Sequence, residues 1–311
     1  MLFKRIFSFI LIVAFLWTSV LVQFSWAVEA SQANVLEDLS QLEIAIYGVA
    51  TAEKSLVERV EYLEKELVGR TLPGTITSRV KQLKDFIIAG TPEDPSVIFK
   101  INASQWILEA KITSEPLSIK IENLENVLFG KTSTDVLAMK AENIFSLCFK
   151  ESKPQVEEVI VPAGTLVPVN FLSSLSSKDN KTGETFNFQI TENIFIDNKL
   201  IIPNNSEGVG EIIKVKKATF LSRSGKLELK FKPISALDGT SLNLILGEEA
   251  QKENTRIAIA VGVGIVGLII LSNPIGLIAG ALVPGKNVKI EQGTQIFLQV
   301  KEDTKVIALV Q

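Results

Sequence analysis

Apolar residues recur at helical spacing through the first half of the chain and at alternate positions through the second. The pattern predicts helices followed by strands. Between Tyr47-Gly48 and Val68-Gly69 runs SLVERVEYLEKELVG, in which Leu56, Val60, Leu63 and Leu67 form one apolar stripe. After Gly69, the segment TITSRVKQLKDFI places Ile76, Val80 and Leu83 in equivalent positions, and Arg59 and Arg79 each follow the first apolar residue by three. A third copy opens at Phe129-Gly130, where Val136 and Met139 carry the stripe and Lys140 falls where a hydrophobe stood. Between the second and third copies, Asp94-Pro95 reads as an N-cap and first helical position for a segment through Ala110. Glycine is the expected stop after each helix, because it accepts a left-handed backbone at little cost. Glu58, Glu61, Glu64 and Lys65 fall on the opposite face and read as a solvated surface.

From Val159 the period changes to two. VIVPAGTLVPVNFLSSL, ETFNFQI, KLIIPNNSEGVGEIIKV, GKLELKFKPI, TSLNLIL and finally NVKIEQGTQIFLQVKEDTKVIAL alternate between turn signals, as a compact β-barrel or sandwich requires. Turns are expected at Gly164-Thr165, at Asp238-Gly239 and at Gly293-Thr294. VPAGT and IEQGT look like versions of one another, each preceding an alternating strand.

One segment breaks the alternation. Ile257 to Val283 is 27 residues without a charge, between Arg256 and Lys286. A stretch this long and apolar is expected to be buried in protein or in lipid. Ser272-Asn273-Pro274 interrupts it, so the expectation is two helical pieces of about 22 and 13 Å, with Pro274 as the break. Ala260 and Gly264 are four residues apart, as are Gly276 and Gly280, and with Gly262 and Gly267 they would let helices pack closely. Two readings stay open: insertion in a membrane, or a plug packed against the barrel.

The first residues, MLFKRIFSFILIVAFLWTSVLVQFSWAVEA, carry a basic start, a long apolar core and small residues before a cleavage point at Ala27. An exported chain is expected, with the segment either cleaved or kept as an anchor. Cleavage would lower the net charge from −3 to −5, since Lys4 and Arg5 leave and no acid does. Such a chain has no electrostatic reason to bind nucleic acid. The single cysteine, Cys148, can form no internal disulfide. Histidine is absent, which removes the commonest general base and metal ligand. No paired acidic motif, nucleophile elbow or phosphate-cradling loop is present either. A non-enzymatic protein without cofactor or metal is expected.

Two resemblances add to this reading. Residues 38–150 resemble a short helical repeat of exported bacterial proteins, with the pattern YG … SL.ER…LE..L.G. It would serve as an oligomerisation arm or as a spacer. Residues 159–310 resemble the C-terminal barrel of the TrbI-like proteins of conjugation and type IV secretion. The likeness lies in the order of an AGT strand, the Gly183 turn, IIPNNSEGVGE, Asp238-Gly239, an apolar insertion and IEQGTQIFLQVKED. This sequence departs from that family at Asn204-Asn205, where lysine and glycine are expected. The resemblance implies a homo-oligomer with its insertion in an outer membrane, beside other envelope proteins, in the periplasm of a diderm bacterium.

The expected architecture is therefore α+β. A signal peptide (1–27) precedes a helical repeat region (38–150), a linker (151–158) and a β-barrel or sandwich (159–311) with an apolar α-helical insertion (257–283).

Overall fold

The computed structural model describes residues 34–51, 53–150, 154–219, 224–260, 268–273, 276–281 and 286–310. The chain divides into two compact units, Met1–Lys84 and Asp85–Gln311. In the first unit, α1 (residues 34–47), α2 (Leu56–Val68) and α3 (Ile76–Lys84) are described. The second opens with a π-helical turn, Asp85–Ala89, then α4 (Val97–Glu109), α5 (Leu117–Phe129) and α6 (Leu137–Cys148). From Leu56 the helices start every 20 or 21 residues, so the repeat runs through α4 and α5 as well.

Caps explain the boundaries. Ser55 makes a reciprocal capping box with Glu58, and the α2 C-cap is Gly69 at φ 72°. Gly48, Gly90 and Gly130 also have positive φ, and Ala110 ends α4 in the same left-handed conformation at φ 52°. The N-cap expected at Asp94-Pro95 lies two residues later: Ser96 accepts from the Phe99 amide, and Asp94 pairs with Lys100 instead. Met139 is also corrected. It is 55% exposed, and α6 buries Ala141, Ile144 and Phe145.

The β region is built on an eight-stranded antiparallel sheet. Its order is β11 (Leu244–Ile245), β15 (Gln295–Val300), β2 (Leu166–Phe171), β4 (Thr185–Ile190), β7 (Glu207–Lys216), β8 (Lys226–Phe231), β13 (Gly276–Ala281) and β12 (Leu268–Asn273). A four-stranded sheet follows the order β1 (Val156–Val161), β16 (Thr304–Val310), β6 (Lys199–Ile202), β5 (Ile194–Ile196). Two short pairs, β9 (Ile234–Ser235) with β10 (Ser241–Leu242) and β3 (Leu175–Ser176) with β14 (Lys289–Ile290), complete it. Helix α7 (Glu248–Ala260) approaches both β15 and β12, on the open side of a nearly closed barrel.

Phe171, Phe186, Phe188 and Phe231 meet in the core with ring centroids 5.1–6.3 Å apart. Gly208 and Gly210 make room for two of these rings. A Cβ on either would lie 2.2 Å from Phe188 Cζ or 2.1 Å from Phe186 Cζ. The α+β class and the helix-then-strand order are as expected, but the apolar insertion is corrected. Helix α7 begins nine residues before Ile257 and ends at Ala260, and 268–273 and 276–281 are strands. Length and small residues suggested helices. The sheet offers the alternative, because β13 finds a ready partner in β8, from Leu277↔Leu229 to Gly280↔Lys226.

Candidate assembly surface

The hairpin β12–β13 is the outermost part of the large sheet. It runs in register from Leu268↔Ala281 to Asn273↔Gly276. Among the described residues β12 is hydrogen-bonded to β13 alone. Gly276 and Gly280 stand on a strand, so their four-residue spacing places them on one face of a sheet and not along a helix–helix seam. Ala260 is the last residue of α7. Gly262, Gly264, Gly267, Pro274 and the cleavage point Ala27 lie outside the described residues.

On the opposite edge, α7 is tied to β15 by side chains that imitate strand pairing. Asn254 Nδ2 donates to Phe297 O at 2.8 Å and Asn254 Oδ1 accepts from Phe297 N at 2.8 Å. Gln299 Oε1 accepts from the Ala250 amide at 3.0 Å. Where β11 ends, α7 thus continues to satisfy that edge.

The two glycine-threonine turns occupy matching places at opposite ends of the β2–β15 pair. Gly164, at φ 87°, donates its amide to Val300 O, the end of β15, and Gly293, at φ 81°, donates to Phe171 O, the end of β2. Thr165 O and Thr294 O accept in return from Val300 N and Phe171 N. The preceding amides follow the same rule: Ala163 donates to Asp303 and Gln292 donates to Ser174. The likeness of VPAGT to IEQGT is therefore a local two-fold relation in space.

Gly239, at φ 84°, lies under α4, and a Cβ there would come within 2.7 Å of Ile98 Cγ2. The same turn receives a hydrogen bond from Asn102 Nδ2 to Leu237 O at 3.0 Å. Around it Phe99, Ala103, Ile112 and Phe145 of the helical part pack on Leu200, Leu237, Ile307 and Leu309 of the strands. Asp238 is held inward, accepting from the Ile307 and Thr240 amides and the Thr240 hydroxyl. Burial pushes its carboxyl above the usual range, against those bonds.

Sequence reasoning missed the ladder of buried polar pairs in the helices. Arg59 grips Glu43 with Nε and Nη2 at 2.9 and 2.8 Å, and Arg79 grips Glu64 at 2.7 and 2.6 Å. Lys140 Nζ lies 3.3 Å from Glu125 Oε2. Each cation sits near the start of a helix and reaches back to an acid on the preceding one. Glu64, expected on the solvated face, is fully buried. Leu39 takes the cation position in α1, and Phe145 the acid position in α6. Both are apolar and buried, so the ladder ends at both sides. The signal was present as the 20- or 21-residue spacing of Arg59, Arg79, Lys100, Lys120 and Lys140.

Among the described residues no cluster of acidic or cysteine side chains could hold a metal ion. No described helix is long and apolar enough to cross a membrane. No family model matches the chain. No curated protein matches it either. A solved structure similar to it is ComB10 of the Com type IV secretion system of Helicobacter pylori. It has 14% identity and a TM-score of 0.25, over 46% of this chain and 88% of that one. A TM-score at this level does not establish a shared fold.

Proposed function

We propose that the chain is a non-enzymatic, exported component of a cell envelope whose β region assembles with further copies through the apolar hairpin, in or against an outer membrane. The observation that carries this reading is the charge-free segment 257–283, which adds two strands to the rim of the large sheet. An apolar strand with one unpaired edge invites another strand or a covering surface. Six-residue strands reach about 20 Å, below a hydrocarbon core of about 30 Å. Lipid also tolerates no open sheet edge. Insertion therefore requires that neighbouring copies close the edge, and a single hairpin crossing alone is disfavoured. The order of turn motifs that resembles the TrbI-like barrel supports the finer reading, a component of a secretion or transport channel.

A second reading, a soluble scaffold in which the hairpin completes its own barrel, is favoured by the closeness of α7 to β12. Fractionation of the full chain with carbonate washes, beside Ile278→Glu and a deletion of 257–283, separates the two. Retention of the wild type in the membrane as an oligomer, with release of both variants, is the expected result. Monomeric wild type in the soluble fraction would overturn the assembly reading and leave the scaffold. N-terminal sequencing of the same material reports on cleavage at Ala27.

A further inference from the structure

The ladder of buried pairs has one irregular rung, and it lies where the helices meet the strands. In α4 the position equivalent to Glu43, Glu64 and Glu125 holds Gln105, which is buried. Its Oε1 accepts from the Thr113 amide at 3.2 Å, as Glu43 accepts from Thr51 and Glu125 from Ser133. The cation one helix later, Lys120, is 7% exposed and has no carboxylate within ion-pairing distance among the described residues. Its Nζ donates instead to Asn102 Oδ1 at 2.9 Å. The other end of the Asn102 amide donates to Leu237 O in the β9–β10 turn. A single carboxamide thus links the ammonium group to the backbone of the β region.

We propose that the protonation state of Lys120 sets how firmly α4–α6 are docked on the β region. An ammonium group needs three acceptors or an anion, and this pocket gives it one neutral oxygen. The neutral amine needs far less. Once the helices separate from the turn at Leu237, water reaches Asn102 and through it Nζ, and the charged form loses its penalty. The docked state therefore favours the neutral amine and the separated state favours the cation.

The surrounding charges do not cancel this. Glu109, on α4, and Glu115, before α5, act on Lys120 from a distance and favour the cation, but burial outweighs them and brings its pKa down to about 8. Glu109 accepts from Gln105 Nε2, and Glu115 accepts from Thr113 Oγ1. The charged residues of the packed helices have other partners: Lys140 pairs with Glu125, and Lys100 with Asp94 and Glu142. The Cys148 thiol, on α6, is pushed up by burial. Across the interface, the Asp238 carboxylate points to Ile307 and Thr240. The sign follows directly. A lysine lowered from 10.5 to about 8 in the docked state carries its penalty below pH 8 and is relieved of it as pH rises towards 10.5. Docking tightens as pH rises from 8 to 10.5 and is loosest, without further change, below 8. The exposed face would be the apolar one around Phe99, Leu237 and Leu309. This device is independent of the hairpin and of its role in assembly.

Trp106 packs on that same cluster and reports on it directly. In the full chain with Trp17→Phe and Trp26→Phe, it is the only tryptophan left. Acrylamide quenching of Trp106 between pH 6 and 10.5 should be highest below pH 8 and fall as pH rises from 8 towards 10.5. Lys120→Met should hold quenching at the low, high-pH level throughout. Gln105→Glu supplies the missing carboxylate, relieves the penalty and should bring quenching below pH 8 down towards the Lys120→Met level. A wild-type profile flat across the range overturns the proposal, as does a transition that persists unchanged in Lys120→Met. If Lys120→Met does not fold by circular dichroism, Gln105→Glu decides alone, and a profile unchanged from the wild type overturns it.

Discussion

Removing one member of the Arg79–Glu64 pair should cost far more than removing both. The guanidinium grips the carboxylate with two bonds of 2.7 and 2.6 Å, and the side chains are 10% and 1% exposed. Glu64→Ala leaves a buried cation without its anion, and Arg79→Ala leaves a buried anion. Either should destabilise by about 3–5 kcal/mol, the usual cost of breaking a buried pair from one side. Replacing the pair by Leu at 64 and Met at 79 removes both charges and keeps most of the volume. That double variant should lie near the wild type or above it, by up to about 4 kcal/mol. The two compact units need not unfold together, so one global transition is the wrong measure. Native-state hydrogen exchange of the α2 and α3 amides resolves the unit that holds the pair. Adding the Glu64→Ala, Arg79→Ala double variant closes the cycle that yields the coupling energy. The reasoning would be refuted by single variants within about 0.5 kcal/mol of wild type, the range of an exposed pair. A Glu64→Leu, Arg79→Met variant as unstable as the worse single would refute it equally.

Ala110 sits at φ 52°, where its neighbours in the repeat use glycine, so Ala110→Gly should stabilise α4 by about 0.5–1 kcal/mol in urea melts. Gly210→Ala would drive a methyl into the Phe186 ring and should cost about 1–3 kcal/mol. Adding Phe186→Leu to that variant should recover part of the loss, and equal stability of the two variants would argue against the collision. Asn254→Ala removes both bonds to the Phe297 backbone and should cost about 1–2 kcal/mol, seen as faster exchange at α7 with the sheet core unchanged. Stability of the second unit should rise between pH 8 and 10.5 through Lys120, and the rise should vanish in Lys120→Met, as read by urea midpoints across that range.

The repeat was legible where its punctuation was regular. Gly48, Gly69 and Gly130 marked helix ends because left-handed caps are sequence-visible when glycine provides them. The repeat was lost between Gly69 and Gly130, where Ala110 adopts the same backbone and Gly90 follows a π-helical turn. Helix α4 carried little face pattern because Phe99, Ile101, Asn102, Ala103 and Gln105 are buried on different sides of it. Residues Glu64 and Lys120 look like surface charges by composition. Only the partner one helix away makes them interior residues. The β turns were the most readable feature, since Gly164, Gly239 and Gly293 all need positive φ.

The apolar insertion was misread for a physical reason that bears on function. A run apolar at every position has no period, so 268–273 and 276–281 could not be told from helix by pattern. What decided between them lies elsewhere in the chain, in the free edge of β8 that accepts β13. The consequence is larger than a change of element. A helix satisfies its own backbone and can enter lipid alone, whereas a hairpin carries an unpaired edge wherever it goes. Had 257–283 been helical, its apolar character alone would have argued for lipid. As a hairpin it argues first for a strand or surface that covers β12, and for a membrane only after that edge is closed.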